Sequence, residues 1–183
     1  MYFGEPASEG QILIQGVDLS EIPHDRIPFL RRKFGIVFQD YKLIPTKTVF
    51  ENIAIVLEVM GENYRYIQQK VSSVLRTVGM EEKLNVYPPS LSGGEQQRVA
   101  VARAVVGDPK IILADEPTGS LDSESASIIM GLLRGFNNRG TTVIIATHDK
   151  GIIRRTRGRA IYLKEGRMQP GDTAPEKKRP ITI

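Results

Sequence analysis

The sequence predicts an α/β fold, a mostly parallel sheet with helices on both faces plus a small α-helical lobe. In the second half of the chain, short apolar segments of strand length alternate with amphipathic helical segments. Continuous apolar strands are typical of parallel sheets that are covered on both faces. Between residues 49 and 106 the apolar residues instead recur with helical spacing. Hydrophobic residues make up 40% and charged residues 25% of the 183 residues, which is typical of a globular domain.

The first predicted elements are short. Residues 11–14 form a strand after a turn-like segment, and residues 26–33 form a helix, because Pro28 is tolerated only near a first turn. A brief apolar strand follows at residues 36–38.

Three helices are predicted for the lobe, which covers about residues 41–106. The first spans residues 49–60 and the second spans residues 64–78, where five apolar residues share one face: Ile67, Val71, Val74, Leu75 and Val78. A third helix, at residues 94–106, begins behind Ser92, a good N-cap.

The second half supplies three more strands and two helices. The strands are predicted at residues 111–114, 142–146 and 160–163, and a short helix at residues 150–155. A longer helix between the first two strands is marked by one apolar stripe: Ile128, Ile129, Leu132, Leu133 and Phe136. The domain therefore extends over residues 1–168.

Residues 169–183 are predicted to be a flexible tail, because they contain three prolines and no apolar period. The longest uninterrupted apolar run, residues 53–57, is far shorter than the roughly 20 residues of a membrane helix. The absence of cysteine excludes disulfides and thiolate zinc sites. The first ten residues lack the pattern of a signal peptide. We therefore expect a cytoplasmic protein.

The net charge of +4 comes from two local basic segments, around residues 154–159 and 177–179. This pattern does not indicate a nucleic-acid platform, so no nucleic acid is expected as a partner. It suits either a solvated basic helix end or an anionic membrane surface nearby.

Asp115 and Glu116 directly follow the apolar strand at residues 111–114. In open parallel sheets ligands bind at the carboxyl ends of the strands, and successive side chains there point in different directions. One acid can therefore face a metal and the other a water. The alternative is a strand that simply emerges into solvent, and the pattern alone favours neither.

Ser92, Gly93 and Gly94 lie immediately ahead of a predicted helix. Unpaired backbone N–H groups at a helix start, with glycines that allow close approach, suit a phosphate. The alternative is an ordinary capping box, with Ser92 as the cap and Glu95 three residues later. That alternative explains the serine and the glutamate but not the two glycines, which weaken a helix.

Together with three further motifs, these segments resemble the ATP-binding cassette (ABC) ATPases, whose fold is of the P-loop NTPase kind. Residues 91–98 resemble the signature motif, and Asp115 with Glu116 the Walker B pair. The other motifs are a Q-loop at residues 37–40, a D-loop at residues 119–122 and a histidine switch at residues 147–149. All five occur in the order of the family.

The resemblance implies ATP and Mg²⁺ as cofactors. Asp115 would hold Mg²⁺ through water, and Gln39 would contact the same ion and report occupancy to a membrane partner. Glu116 would polarise the attacking water, and His148 would contact the γ-phosphate. Such roles suit phosphoryl transfer, which needs charge neutralisation and positioning more than covalent chemistry.

The resemblance also implies a head-to-tail homodimer of nucleotide-binding subunits. Ser92, Gly93 and Gly94 would act on the nucleotide of the opposite subunit, and Asp122 belongs to the same nucleotide-binding set. Residues 29–40 are most similar to the bacterial cell-division branch of the family. In that branch the ATPase lies on the cytoplasmic face of the inner membrane and pairs with an integral, permease-like membrane subunit.

Other readings stay open. The lipoprotein-release and macrolide-export branches share residues 114–119 with this chain. A DNA-repair or chromosome-organising ATPase is disfavoured, because no long coiled-coil insertion separates Gln39 from Ser92.

The sequence departs from the family at the P-loop, which needs Gly-Lys followed by Ser or Thr. None of the 17 glycines is followed by lysine. We expect that Met1 is an internal methionine and that a strand, loop and helix of about 30 residues are missing ahead of it. In the family this strand lies between the strands at 142–146 and 160–163. We expect the chain alone to be inactive; a non-catalytic partner that lends its signature motif is the alternative.

Overall fold

The computed structural model describes residues 9–156 and 158–169. Apart from Gln169, the predicted tail lies outside these residues, as do residues 1–8 and Arg157. The described helices and strands, in chain order, are β1 (Leu13–Ile14), β2 (Val17–Asp18), α1 (Ile27–Arg31), β3 (Phe34–Val37), α2 (Val49–Met60), α3 (Tyr64–Val78), α4 (Gly93–Val105), β4 (Ile111–Asp115), α5 (Ser123–Asn138), β5 (Thr142–Ala146), α6 (Lys150–Arg155), β6 (Leu163–Lys164) and β7 (Arg167–Met168).

The central sheet has three parallel strands in the order β3-β4-β5. Ile111 lies opposite Phe34 on one side and Thr142 on the other, so the three strands start level. The α/β prediction with a parallel sheet is therefore confirmed. Within the described residues the outer edge of β5 has no paired strand.

One face of the sheet is covered by helices α4 and α5. Val37, Ile112 and Ala114 point to this face and join a single apolar cluster with buried residues of the lobe. Gly35 lies where α4 crosses the sheet, and a Cβ there would overlap the carbonyl oxygen of Ala104. The missing side chain of Gly35 therefore lets α4 approach the strand directly.

The opposite face has a thinner cover. Phe34 and Ile111 point to it and pack on Ile14, Leu19 and Leu30, which come from β1, a 3₁₀ turn and the short α1. Three sheet residues on this side are only partly buried: Ile36, Leu113 and Ile144. Helices α4 and α5 thus form the predicted cover on one face, with Val143 and Ile145 of β5 partly buried there, while a hairpin, a turn and one five-residue helix cover part of the other face.

In the region predicted as the lobe, α2 and α3 pack on each other and on α4. Thr48 caps α2 in a capping box with Glu51, and Asn63 caps α3. Both helices end at glycines in the left-handed conformation, Gly61 and Gly79, where a Cβ would be strained. Both helices have the predicted bounds, because apolar period, N-cap and C-cap glycine all agree. None of the helices in the described part of the chain is long and apolar enough to cross a membrane.

The strand predicted at residues 160–163 is wrong as an element of the sheet. Residues 160–162 are irregular, and β6 pairs antiparallel with β7. The turn between them has positive φ at Glu165 and Gly166, which suits a two-residue hairpin. Leu163 is 74% exposed, so no core draws this segment into the sheet.

Two elements near the start also differ from the prediction. The helix expected at residues 26–33 is limited to α1, because β3 already begins at Phe34. The strand expected at residues 11–14 is limited to β1, which pairs with β2 in a hairpin that was not predicted. Its signal is the pair Gln15-Gly16, both with positive φ, which forms the two-residue turn.

Candidate functional site

The carboxyl edge of the sheet brings together residues that are far apart in sequence. Asp115 at the end of β4 lies opposite Ala146 of β5. Because the strands are parallel and level, their carboxyl ends present four of the predicted site residues on one edge: Gln39 after β3, Asp115 and Glu116 at the end of β4, and His148 after β5.

Glu116 is aimed by its backbone. Its N–H donates to the carbonyl oxygen of Ala146 at 2.9 Å, which extends the pairing of β4 with β5 by one residue. Its own carbonyl oxygen accepts from the N–H of Gly119 at 3.1 Å, closing a turn. The φ of Glu116 is 41°, a conformation that costs on the order of 1–3 kcal/mol for a non-glycine residue and persists only when its surroundings enforce it.

The Glu116 carboxylate is bound by the loop after β5. Its Oε2 accepts from the Thr147 hydroxyl at 2.9 Å, and its Oε1 accepts from the His148 backbone N–H at 2.8 Å. The His148 Nδ1 lies 2.6 Å from the same Oε1. Because an ionised carboxylate can only accept, Nδ1 carries the proton in this contact. The ring itself extends into solvent, with 89% of the His148 side chain exposed against 18% for Glu116.

These contacts set the charge of Glu116. Partial burial alone would raise the pKa of the carboxyl, but the hydrogen bonds from His148 and Thr147 outweigh it, and the pKa lies below its usual range. Glu116 is therefore ionised at neutral pH.

Asp115 and Gln39 are both exposed beside this pair. The Gln39 Nε2 lies 3.5 Å from the position that a Cβ on Gly119 would take, so its side chain reaches over the turn that follows Glu116. Among the described residues no group of three or more His, Cys, Asp or Glu could form a protein-only metal site. Mg²⁺ is commonly held by one or two protein oxygens together with waters and phosphates. The donor chemistry of Asp115 and Gln39 fits that requirement.

The start of α4 forms the second part of the site. Ser92 caps the helix, with its hydroxyl accepting from the Glu95 N–H at 3.3 Å and the Glu95 Oε2 accepting from the Ser92 N–H at 2.8 Å. The hydrogen bond from the Ser92 backbone N–H lowers the pKa of the Glu95 carboxyl most. Partial burial opposes this effect but is outweighed, so the pKa lies below its usual range. Ser92 is thus the N-cap, as predicted, and the capping box, which was the alternative for this segment, is present.

The two glycines that the capping box left unexplained have packing roles. A Cβ on Gly94 would lie 2.9 Å from the Cβ of Ser125 in α5 and even closer to the Ser125 hydroxyl oxygen. A Cβ on Gly93 would lie 2.9 Å from the Tyr41 hydroxyl. Contacts this short are almost never made by real Cβ atoms. Gly94 is therefore needed for α4 to approach α5, whereas a side chain at Gly93 would have to displace the end of the Tyr41 side chain, whether or not a phosphate binds there.

Asp122 is the N-cap of α5. Its carboxylate accepts from the backbone N–H groups of Glu124 at 3.0 Å and Ser125 at 2.9 Å. These bonds, the one from Ser125 first, lower the pKa of Asp122. A capping role accounts for the residue, and its contact with nucleotide stays a prediction.

Two residues on α4, Arg103 and Gln97, connect the parts of the site, and neither was predicted from the sequence. Arg103 donates to the carbonyl oxygens of Tyr41 at 2.7 Å and Lys42 at 2.6 Å, and burial lowers its pKa. Gln97 is 1% exposed and donates from Nε2 to the Pro117 carbonyl oxygen at 2.7 Å. No local pattern marks either residue, because their partners lie 62 and 20 positions away.

Comparison with known proteins gives one consistent result. A protein-family model described as "ABC transporter" matches residues 2–119. Three similar curated proteins all carry the name cell division ATP-binding protein FtsE. The relative from Streptococcus pneumoniae serotype 2 is 49% identical over 160 residues, 87% of this chain and 70% of its own. The Bacillus subtilis relative is 48% identical over 166 residues, which cover 91% of this chain and 73% of the relative. The Escherichia coli K12 relative is 43% identical over 167 residues, which cover 91% of this chain and 75% of the relative.

Two solved structures show the same architecture. A dimeric structure of the ATP-binding cassette MJ0796 in a post-hydrolysis state, bound to ADP and Pi, has a TM-score of 0.80 at 35% identity. A second dimeric structure of MJ0796, a bacterial ABC transporter cassette, has a TM-score of 0.81 at 35% identity. Each alignment covers 93% of this chain and 75% of the solved chain.

Proposed function

The chain belongs to the ABC transporter family of ATP-binding proteins, and on that basis we propose that it is the ATP-binding and ATP-hydrolysing subunit of a membrane-associated complex in bacterial cell division. The cell-division assignment is supported by 43% to 49% sequence identity to the three FtsE proteins named above. The lipoprotein-release and macrolide-export branches are the alternatives within the family.

The observation that carries this proposal is the pairing of Glu116 with His148 at the carboxyl edge. Glu116 is ionised and held at a fixed position, so its free lone pairs can orient and polarise a water molecule. The Nδ1 of His148 is taken up by Glu116 at 2.6 Å, which leaves Nε2 on the exposed side of the ring. When the ring carries its second proton, that nitrogen can donate to a γ-phosphate oxygen.

Asp115 and Gln39 would hold Mg²⁺ together with water and phosphate oxygens. When bound, the ion neutralises charge on the phosphates. The exposed position of both side chains leaves them free for this task.

Ser92, Gly93 and Gly94 would address the nucleotide of a second subunit in a head-to-tail homodimer. The first N–H groups of α4 are not used within the helix, and the helix dipole favours an anion there. Asp122 would complete this nucleotide-binding set. The dimeric state of the two similar solved cassettes supports the arrangement.

An integral membrane subunit, similar to the FtsX partner of FtsE proteins, would dock near Gln39 and the lobe between residues 41 and 80. The chain would then lie on the cytoplasmic face of the inner membrane. Gln39 lies over the turn after Glu116 and starts the loop that leads into the lobe. Nucleotide occupancy would reach a docking surface by this route.

The 183 residues contain no Gly-Lys pair and hence no P-loop, so we propose that this chain alone binds ATP weakly and does not hydrolyse it. A second candidate follows from the same observation. The chain would then act as a non-catalytic partner, since its capped signature helix is complete and could serve a P-loop-bearing subunit in trans.

The test is magnesium-dependent phosphate release by the chain alone and by a chimera that carries the P-loop segment of the Bacillus subtilis relative ahead of residue 1. We expect turnover only in the chimera. Glu116→Gln should reduce it by about a hundredfold or more while ATP binding persists, and Glu58→Gln, an exposed control on α2, should not. Turnover by the chain alone would refute the proposed dependence. Stimulation of a P-loop-bearing subunit by the chain, abolished by Ser92→Arg, would favour the second candidate.

A further inference from the structure

Tyr41 is held by α4 at two distant points. Its carbonyl oxygen accepts from Arg103, near the carboxyl end of the helix, at 2.7 Å. Its hydroxyl lies against Gly93 at the amino end, 2.9 Å from the position that a Cβ there would take. A single residue of the loop after Gln39 therefore contacts both the amino end of α4 and the long Arg103 side chain that extends from near its carboxyl end.

The same hydroxyl touches a third segment. It lies 3.3 Å from the Oγ of Ser120, in the stretch between the Glu116 turn and the Asp122 cap of α5. Tyr41 thus contacts both the start of α4 and the segment that leads into α5.

The backbone of this loop depends on Arg103. Tyr41 and Lys42 have φ values of 58° and 49°, and consecutive non-glycine residues in the left-handed region persist only when their surroundings enforce it. Arg103 supplies that constraint with bonds to both carbonyl oxygens, the second at 2.6 Å. Charge-assisted bonds from one planar guanidinium fix both orientation and distance. The loop is therefore tied to α4 rather than free in solvent.

We propose that Tyr41, held by Arg103, is a positioning residue that couples the loop after Gln39 to the amino end of α4 and to Ser120. Because Gly93 has no side chain, the Tyr41 hydroxyl packs directly on its backbone. A displacement of the loop must then be accompanied by a change at Gly93 and Ser120, or break these contacts. The consequence for a nucleotide in a second subunit rests on the proposed function, but the coupling itself does not.

The test follows three backbone amides in the full chain by NMR hydrogen exchange, without nucleotide. Lys42 N donates to the Asp40 carbonyl oxygen, Glu95 N to the Ser92 hydroxyl and Leu121 N to the Thr118 carbonyl oxygen. Arg103→Gln should speed exchange about tenfold at all three, since one or two hydrogen bonds are lost. Tyr41→Phe, which keeps the ring, should speed exchange a few-fold at the second and third amides only.

The chain offers a matched control for each variant. Arg98 is also on α4 and donates to two backbone carbonyl oxygens, at the end of α3, so Arg98→Gln should loosen the Gly79 amide and none of the three. Tyr64 is 66% exposed, and Tyr64→Phe should change nothing at the three amides. Arg103→Lys keeps the charge but has one donor nitrogen in place of the two that bind Tyr41 and Lys42. It replaces Arg103→Gln if that variant does not fold, with a smaller effect in the same direction.

Three results would overturn the proposal. Faster exchange at Lys42 alone in Arg103→Gln would show that Arg103 supports the loop without coupling it to α4. A uniform rise that includes Gly79 would show general destabilisation. Identical behaviour of Tyr41→Phe and Tyr64→Phe would remove Tyr41 from the connection. Each result is independent of ATP, so it differs from a failure of the ATPase proposal, which appears only in phosphate release.

Discussion

The two halves of the candidate site are built in different ways. At the carboxyl edge of the sheet, Glu116 and His148 are 32 positions apart and meet through side chains that strand pairing brings together. At the start of α4, the site consists of consecutive residues and a cap that closes within four of them. The first region depends on what its side chains can bind, and the second on side chains that are absent at Gly93 and Gly94. Substitutions should therefore act on charge in the first region and on packing in the second.

Gly94→Ala is the sharpest test of the packing half of this comparison. The new methyl group would collide with Ser125, and we expect the free energy of unfolding in urea to fall by about 2 kcal/mol. Gly131→Ala is the control, because this α5 glycine has open space around it and alanine favours a helix by about 1 kcal/mol. Ser125→Gly should rescue Gly94→Ala. Equal effects of the two alanine variants would remove the packing explanation.

Ser92→Ala tests whether the cap of α4 contributes only the small amount of stability expected from one hydrogen bond. Losing the bond to the Glu95 N–H should cost about 1 kcal/mol of unfolding free energy. Asp122→Ala, at the cap of α5, should cost a similar amount, because it removes bonds to two backbone N–H groups. Urea unfolding measures both. A much larger loss for Ser92→Ala would show that the start of α4 is held by more than its cap.

The features that could be predicted from the sequence are those set by neighbouring residues. The bounds of α2 and α3 were predicted because apolar period, cap and terminal glycine are all local signals. The N-cap at Ser92 was predicted for the same reason. The segment at residues 160–163 was mistaken for a sheet strand, since its apolar character does not reveal that the following turn folds it into a hairpin.

Contacts between distant segments could not be read from the sequence. Arg103 and Tyr41 are 62 positions apart, and an arginine on a helix most often lies in solvent. The need for glycine at position 94 is equally non-local, because the side chain that would clash with a Cβ there is Ser125 of another helix. The motifs identified the candidate residues, whereas the structure shows which of them are already engaged by a neighbour.

The pH dependence of stability offers a comparison between equivalent caps. Glu95 and Glu51 close the two capping boxes, and hydrogen bonds from Ser92 and Thr48 lower the pKa of each. A carboxyl with a lowered pKa contributes stability that is present above its unfolded pKa, and this contribution is lost as pH falls through its folded pKa. Unfolding free energy should therefore decline below about pH 4.3, the ordinary glutamate value. The variant with both Glu95→Gln and Glu51→Gln should show a shallower decline, and an unchanged slope would contradict the assignment.

The smallest expected effect is a change in one pKa, and it probes the charge half of the comparison. In His148→Ala the Glu116 carboxylate loses the ring contact but keeps the bonds from Thr147 and from the backbone of residue 148. Burial opposes ionisation at this position and the ring favours it, so the Glu116 pKa should rise toward its ordinary value. The stability that the ionised carboxyl contributes would then be lost at a higher pH than in the parent chain. Carboxyl-carbon NMR titration measures the change, with His24→Ala as the control at the other histidine of the chain. An unchanged titration of Glu116 would mean that the fold around Thr147, and not the histidine ring, holds its charge.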